Sequence, residues 1–212
     1  MLTYKAKENI LKKIRAALVE QTPVPFIHSE GNSNLFVAPH DDLAVIFAEE
    51  FTKLDGKFIY VDNTKELVAA LYQLMETLQL QNIYCVEQPL ITTLTNNEWQ
   101  QPLYPSLTNC DASITSCEYL VARTGTIVLS SQQTKGRTAS VYCPVHICIA
   151  YTKQMVYDVK DALLLLKEKY NNHLPSLISF ATGPSRTADI EKTLVKGIHG
   201  PKEVICILID NG

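Results

Sequence analysis

The sequence predicts an α/β fold with a mostly parallel sheet flanked by helices, and two observations support this prediction. From residue 41 onward, segments with apolar residues at helical spacing alternate with short apolar segments of strand length. This strand–helix–strand rhythm implies parallel pairing, with helices on the faces of the sheet. In addition, hydrophobic residues make up 46% of the 212 residues and charged residues 19%, as in a packed globular protein.

The first residues of the chain are typical of an amphipathic helix. Between residues 5 and 19, apolar residues such as Ile10 and Ile14 recur at helical spacing, while lysine and arginine residues take the opposite face. The next stretch, QTPVPFIHSEGNSN, is rich in Pro, Gly, Ser and Asn and is typical of a linker. The sequence therefore predicts an N-terminal helix over 1–20, a linker over 21–34 and an α/β domain over 35–212.

The first half of the predicted domain alternates helices with strands. Residues 41–56 form a helix with acidic residues in its first turn and Gly56 after its end. The strand-like segments KFIYVD and NIYCVE enclose a second helix, and Asn63 and Glu66 give that helix a start like a capping box.

The second half is predicted with less regular spacing. Its elements are a short helix near 90–97, a short helix and then a strand around a Thr-Gly-Thr turn within 111–131, a strand over 138–151 interrupted at Pro144, an apolar helix over 157–170, a strand over 176–182, a helix over about 186–196 and a strand over 203–209.

Charge and hydropathy exclude several classes of protein. The net charge is −3 and the pI about 6.0, whereas a nucleic-acid-binding protein needs a basic stripe. The longest clean apolar runs, such as VICILI, are far shorter than the roughly 20 residues of a membrane span. The N-terminus mixes charged with apolar residues and is not a secretory signal peptide. We therefore expect a cytoplasmic protein.

The six cysteines do not form a recognisable metal or cluster motif. None is spaced as C-x-x-C, and the pairs 110/117 and 143/148 fit neither zinc nor iron–sulphur spacing. Most lie in apolar strand-like segments, which favours buried, reduced thiols. The chain also has no Walker, Rossmann or G-x-S-x-G motif, and no metal site is predicted.

The segment Gly183-Pro184-Ser185-Arg186 predicts a turn from a strand into a helix. Such a turn directs backbone N–H groups and the positive end of the helix outward, where an anion can bind. Ser185 would cap the helix or bond to a ligand oxygen, and Arg186 offers donors suited to a carboxylate or phosphate. An ordinary turn, with Arg186 in a surface ion pair, fits the same residues.

Two polar residues follow in the same region. Asp189 would lie in the first turn of the predicted helix, where it complements the dipole or braces Arg186. Glu191 would face another direction, which argues against a shared metal. His199 lies on a glycine-flanked loop after Gly197, the predicted helix cap, and is either a ligand or proton-transfer residue or a plain turn residue.

Three further features could contribute to an anion site. Thr124, Gly125 and Thr126 could cradle an oxyanion, or could form only a hairpin turn. Arg137 lies in a polar loop and is either a second basic donor or part of a solvated hairpin tip. His146 lies in a strand beside a proline, and its side chain could point into a cleft or have a structural role.

Three blocks of sequence together resemble the LUD-domain family, of the lactate-utilisation protein C type. They are ARTGTIVLSS at 122–131, GRTASVYCPVHICIA at 136–150 and TGPSRTADIEKTLVKGIHGPKEVICILI at 182–209. Their order and spacing match the family over roughly residues 35–210. The resemblance implies a fold similar to that of ribose-5-phosphate isomerase, glucosamine-6-phosphate deaminase, CoA transferases and 5-formyltetrahydrofolate cyclo-ligase.

Those relatives bind anionic ligands at Gly-rich loops that follow strands. The resemblance therefore implies that the candidate residues of this chain line one site. In this implied site, His146 and His199 would be the catalytic residues. The ligand-binding residues would be Thr124, Gly125, Thr126, Arg137, Gly183, Ser185, Arg186 and Asp189.

The resemblance also implies a role in oxidising L-lactate to pyruvate, together with two partner proteins that carry iron–sulphur motifs. This chain lacks a cluster-binding cysteine pattern, so it is similar to the cluster-free subunit, and no iron–sulphur cluster is expected in it. Arg123 stands where the family usually has an acidic residue. If that acid takes part in chemistry elsewhere in the family, this chain either lacks that step or uses Glu118 in its place. A stand-alone enzyme for a phosphorylated or acyl small molecule, and an interaction module, are the alternatives.

Overall fold

The structure is a computed structural model that describes residues 2–19, 39, 41–132, 138–187 and 195–210. The chain forms two compact units, Met1–Ala38 and Pro39–Gly212. The first contains helix α1, Leu2–Val19, and the predicted linker over 21–34 lies outside the described residues. Within the described ranges, no helix is long and apolar enough to cross a membrane.

The second unit is built on a six-stranded parallel sheet with the strand order β1-β12-β7-β4-β2-β3. Its strands are β1 Lys57–Val61, β2 Ile83–Tyr84, β3 Leu103–Tyr104, β4 Ala112–Ser116, β7 Val145–Tyr151 and β12 Glu203–Ile209. All the pairings in this sheet are parallel, which confirms the fold class predicted from the alternating pattern.

A second, four-stranded sheet lies beside the first, with the strand order β8-β5-β6-β9. Its strands are β5 Tyr119–Val121, β6 Thr126–Ser130, β8 Met155–Val156 and β9 Ile178–Ala181. Strand β6 pairs antiparallel with both β5 and β9. A separate antiparallel pair joins β10, Arg186–Thr187, to β11, Val195–Lys196.

Five α-helices complete the second unit within the described residues. They are α2 Leu43–Lys53, α3 Thr64–Leu78, α4 Gln88–Asn96, α5 Ala139–Tyr142 and α6 Val159–Lys169. The start of α3 has the cap that the sequence predicts. The Asn63 side chain accepts from the N–H groups of Lys65 and Glu66, and the Glu66 carboxylate accepts from the N–H of Asp62.

Alternating side chains bury both faces of the parallel sheet. One face, with residues such as Ile147 and Ile207, packs in a core with α3 and α4. The other face, with Cys148 and Cys206, packs in a core with α2 and the second sheet. The far side of the second sheet packs against α6. This burial on both faces explains why the central strands are almost continuously apolar.

The helix predicted over about 186–196 is wrong at both of its ends. Arg186–Thr187 and Val195–Lys196 are short strands that pair with each other, and residues 188–194 lie outside the described residues. The Ser185 carbonyl accepts the N–H of Gly197, and Ser185 N–H donates to the Pro201 carbonyl. These bonds tie the two ends of the segment together, so Ser185 does not precede a helix.

Two other predicted elements are corrected by tertiary pairing and by a proline. The short helix predicted after residue 111 is wrong, because Ala112–Ser116 form strand β4 between two parallel partners. The strand predicted from residue 138 begins only at Val145. Residues 139–142 instead form the one-turn helix α5, and Cys143 then becomes extended, as the residue before a proline prefers.

Candidate functional site

Two clefts at opposite edges of the parallel sheet contain most of the polar residues of interest. The His146 cleft, at the amino edge, measures about 370 Å³, and its lining includes His146, Gly183, Ser185, His199, Pro201 and Val204. The Glu87 cleft, at the carboxyl edge, measures about 680 Å³, and its lining includes Glu87, Ser116, Glu118, Lys153, Lys169 and Tyr170. The structure thus brings together four of the ten residues predicted from the sequence.

His146 is the buried centre of the first cleft. Its ring is 1% exposed, and its Nε2 lies 2.8 Å from the hydroxyl of Thr115. Its Nδ1 has no described hydrogen-bond partner. Burial lowers the pKa of His146 to about 4, so the ring is neutral near pH 7. His199, the other predicted catalytic residue, is exposed at the cleft.

The predicted Thr-Gly-Thr turn forms part of the wall beside this cleft. The hydroxyls of Thr124 and Thr126 are 2.7 Å apart, and that of Thr126 is 2.9 Å from the hydroxyl of Thr182, a cleft residue. Gly125 has a φ of 56°, and a Cβ at this position would lie 2.5 Å from the backbone nitrogen of Phe51. The glycine is needed for packing against α2, and the three hydroxyls satisfy one another.

Arg186, the predicted arginine donor within the described residues, does not line the His146 cleft. The Arg186 guanidinium donates to the Leu54 carbonyl and lies 3.0 Å from the Asp55 carboxylate. Lys196 also bonds to Asp55, at 2.7 Å. Arg186 thus makes the surface ion pair that the sequence left open as an alternative. Arg137 and Asp189 lie outside the described residues.

The Glu87 cleft was not predicted, and it lies where three neighbouring parallel strands end. Glu87 follows β2, Ser116 is the last residue of β4, and Tyr151 is the last residue of β7. Because these strands are parallel neighbours, their ends meet at one edge of the sheet. In open α/β sheets, this edge is where ligands bind.

Glu118 is fully buried in this cleft and has three side-chain donors. Lys169 Nζ lies 2.7 Å from one carboxylate oxygen. The hydroxyls of Tyr170 and Ser130 lie 2.7 and 2.5 Å from the other. Although partial burial opposes the effect, the bond to Glu118 raises the pKa of Lys169. The network fastens the end of α6 to the second sheet.

Glu87 is also buried but has fewer partners. Its carboxyl group accepts from the hydroxyl of Ser116 at 2.5 Å and from the N–H of Ser116 at 3.2 Å. No described cation forms an ion pair with it. Burial raises the pKa of Glu87, and the charge of Glu118 adds to this effect, while the Ser116 bonds oppose it.

Arg123, which departs from the expected family pattern, has a structural partner. Its Nε lies 2.6 Å from the carboxylate of Asp158, the residue that caps the start of α6. The ion pair lowers the pKa of Asp158, together with the bond from Lys160 N–H, although partial burial opposes this shift. Arg123 therefore connects the Thr-Gly-Thr turn to a helix, and the buried acid in this region is Glu118.

The cysteines pack in the cores and their surroundings. All six are buried free thiols, and burial raises the pKa of Cys85 to about 11. Within the described part of the chain, no three His, Cys, Asp or Glu side chains are arranged to hold a metal ion.

Comparison with known sequences identifies close similarity to one group of proteins. The lactate utilization protein C of Halalkalibacterium halodurans is 30% identical over 188 residues, which are 81% of this chain and 80% of that protein. The Bacillus subtilis protein of the same name is 35% identical over 103 residues. An uncharacterised protein of Neisseria meningitidis serogroup B is 37% identical over 102 residues. In these last two cases the match covers 48% of this chain and 43% of the relative, less than half its length.

A solved structure supports the fold. The crystal structure of a DUF162 family protein from Deinococcus radiodurans aligns with a TM-score of 0.56 over 82% of this chain and 99% of that one, at 19% sequence identity. The sequence model described as the LUD domain matches residues 45–209. Because this match covers most of the chain, the protein belongs to the LUD domain family.

Proposed function

We propose that this chain is the cluster-free subunit of an L-lactate utilisation system, in which partner proteins with iron–sulphur clusters carry the electrons as L-lactate is oxidised to pyruvate. The observation that carries this proposal is the 30% identity to a lactate utilization protein C along about four fifths of both chains. The LUD domain match over 45–209 supports it.

The positions of the cysteines are consistent with electron carriers on other proteins. Cys148 and Cys206 lie at the same level of neighbouring strands β7 and β12, inside an apolar core. Burial contributes to raising the pKa of Cys148 well above the usual range of a thiol. Since the thiolate is the form that ligates metals, these side chains are suited to packing and not to cluster ligation.

A lactate-utilising subunit that binds its small-molecule partner must attract an anion. L-lactate and pyruvate are both carboxylates, and the protein must therefore supply cationic or N–H donors. Arg186 is paired with Asp55, so it offers less to a ligand than its sequence context suggested. Lys153 lines the Glu87 cleft and belongs to none of the described ion pairs, so it is better suited to this role than Arg186.

The experiment that tests the proposed role is a gene deletion in the source organism. We expect the deletion strain to grow poorly on L-lactate and normally on pyruvate, and the wild-type gene to restore growth on L-lactate. In addition, iron–sulphur proteins should co-purify with the tagged chain from lactate-grown cells handled without oxygen. Normal growth of the deletion strain on L-lactate contradicts the proposal.

A second candidate function is that of a stand-alone enzyme acting on a phosphorylated or acyl small molecule. The specific observation in its favour is a buried carboxyl group, Glu87, at the carboxyl edge of the parallel sheet, a position suited to acid–base or nucleophilic chemistry. If the purified chain alone converts such a substrate and the Glu87→Ala variant does not, this candidate replaces the first.

A further inference from the structure

The Glu87 cleft differs from an ordinary surface depression because several elements meet in it. Its wall includes the ends of β2, β4 and β7, the start of α4 and the end of α6. Its volume of about 680 Å³ is typical of a small-molecule site. A ligand here would contact side chains that are held by the sheet and by two helices.

The two buried carboxyl groups of the cleft differ in the hydrogen bonds that the protein supplies. Glu118 accepts from Lys169, Tyr170 and Ser130, which occupy both of its oxygens. Glu87 accepts from two described donors, the N–H and the hydroxyl of Ser116, and the N–H lies 3.2 Å from both carboxyl oxygens. Since a carboxyl group has about four sites for hydrogen bonds, Glu87 retains capacity to bond to a ligand.

Two lysines lie at the cleft, one of them outside the described ion pairs and the other paired with Glu118. The Lys153 ammonium lies 5.4 Å from the centre of the Tyr151 ring, and Lys153 belongs to none of the described ion pairs. The Lys169 side chain is 49% exposed even though it donates to Glu118. An ammonium group is a compact charge that attracts a carboxylate without fixing its orientation.

We infer that the Glu87 cleft binds a small carboxylate that carries a hydroxyl or carbonyl oxygen next to its carboxylate group. Lys153 and Lys169 attract the carboxylate of the ligand, and Glu87 forms a hydrogen bond with the neighbouring oxygen. The site follows from the geometry of the cleft, whereas the choice of L-lactate and pyruvate as probes rests on the proposed function.

Isothermal titration calorimetry with the purified full chain tests this inference, with L-lactate and pyruvate as probes and acetate and ribose 5-phosphate as comparisons. We expect L-lactate or pyruvate to bind more tightly than acetate, which lacks the second oxygen. Lys153→Ala and Glu87→Ala should each weaken that binding by about tenfold, as expected when one polar contact to the ligand is lost. Glu87→Gln, which keeps a donor and an acceptor, should retain most of the affinity.

Matched controls lie on α6, outside the cleft. Lys167 and Glu168 are exposed neighbours of Lys169, so Lys167→Ala and Glu168→Ala make the same charge changes and should leave the affinity unchanged. Because Lys153 is exposed, its variant tests the site even where the Glu87→Ala variant folds poorly. Unchanged affinity in both Lys153→Ala and Glu87→Ala overturns the inference.

Other results separate the inference from the proposed function. The assigned ligand class is wrong if ribose 5-phosphate binds and the carboxylates do not. It is also wrong if neither L-lactate nor pyruvate binds at millimolar concentration. If the deletion strain fails to grow on L-lactate, and Lys153→Ala and Glu87→Ala leave carboxylate binding unchanged, the proposed function stands and the inference about the cleft is rejected. Conversely, carboxylate binding can require Lys153 and Glu87 while the deletion strain grows normally on L-lactate. That result keeps the inference about the cleft and rejects the proposed function.

Discussion

The two edges of the parallel sheet bury polar groups in opposite ways. At the amino edge, His146 is a neutral ring whose single described hydrogen bond goes to Thr115. At the carboxyl edge, Glu118 is paired with a lysine, and Glu87 lies nearby with no described cation. One cleft therefore holds a buried neutral histidine with a described hydrogen bond at only one of its two ring nitrogens, and the other holds an ion pair and a buried acid without a described cation.

This difference follows from the direction of the strands. His146 is the second residue of β7, so it is surrounded by the neighbouring strands and the second sheet. Glu87 and Glu118 follow the ends of β2 and β4, where the chain leaves the sheet and helix α4 begins. Side chains from several strands converge where the chain leaves the sheet at this edge, which is the reason that such edges accommodate ligands.

The two clefts should also respond to pH with opposite signs. Burial favours the neutral form of any ionisable group, which lowers the pKa of His146 and raises that of Glu87. Low pH therefore lowers the free energy of unfolding through the amino edge, because the buried ring of His146 must take up a proton. Base penalises the carboxyl edge, because it forces a charge onto the buried Glu87.

The largest expected effect comes from removing the charged network at the carboxyl edge. Glu118→Ala leaves Lys169, Tyr170 and Ser130 without their shared acceptor, and it should lower the free energy of unfolding by about 3 kcal/mol. Urea unfolding measures this change. The exposed neighbour Glu168 supplies the control, and Glu168→Ala should stay within about 0.5 kcal/mol of wild type. Equal stability of the two variants would mean that the network adds no net stability.

The next effect tests the neutral histidine at the amino edge. Below pH 6.5 the unfolded chain takes up a proton at His146 that the native state takes up only near pH 4, so the protein should lose stability as the pH falls through this window. The loss attributable to this ring reaches at most about 3 kcal/mol near pH 4.

The measurement is the slope of the unfolding free energy against pH, not its level. His146→Gln should flatten the slope between pH 4 and 6.5, even if the substitution lowers stability at every pH. His173→Gln, at an exposed position, should keep the wild-type slope. A slope that is unchanged in His146→Gln contradicts the burial of a neutral ring.

A smaller effect of opposite sign is expected from Glu87. Its pKa is raised in the folded chain, so its contribution to stability is complete below the pKa of an ordinary glutamate and is lost as the pH rises through the folded value. The bonds from Ser116 partly offset the cost of ionisation, which limits the effect. Glu87→Gln should therefore gain stability relative to wild type as the pH rises.

Unfolding curves of Glu87→Gln and wild type, taken at several pH values, test this sign. Glu76→Gln, on an exposed position of α3, should follow wild type at every pH. If the advantage of Glu87→Gln instead grew as the pH fell, Glu87 would have to be an ionised, stabilised carboxylate.

The parallel sheet could be predicted from the sequence because local signals determine its elements. The apolar segments around β1 and β12, and the cap that begins α3 at Asn63, are short-range patterns that survive folding. The second sheet was missed because β5 and β8 have only three and two residues and gain their order from partners distant in the chain.

The site residues also divide into those with a local sequence signal and those brought together only by strand pairing. Gly125 and Gly183 were recognised as special turns, and both have a positive φ. However, their freedom serves close contacts with α2 and with the Leu54 carbonyl beyond its end. Glu87 and Glu118 carry no spacing signature, since they are 31 residues apart and meet only because β2 pairs with β4. Glu87 ends the strand-like segment NIYCVE, but the segment before Glu118 was predicted as a helix, so no pattern in the sequence indicated that the two carboxyl groups meet.

The smallest expected effect concerns Arg186, which the sequence marked as an anion donor. Its guanidinium is 31% exposed and pairs with Asp55, which also bonds to Lys196. Because exposed ion pairs contribute little, Arg186→Ala should lower stability by about 0.5 kcal/mol. A double-mutant cycle with Asp55→Ala measures the pair itself, and calorimetry with L-lactate measures binding. Strong loss of binding in Arg186→Ala, with Lys153→Ala unaffected, would assign the ligand to the amino edge, since Arg186 lies next to Ser185 of the His146 cleft.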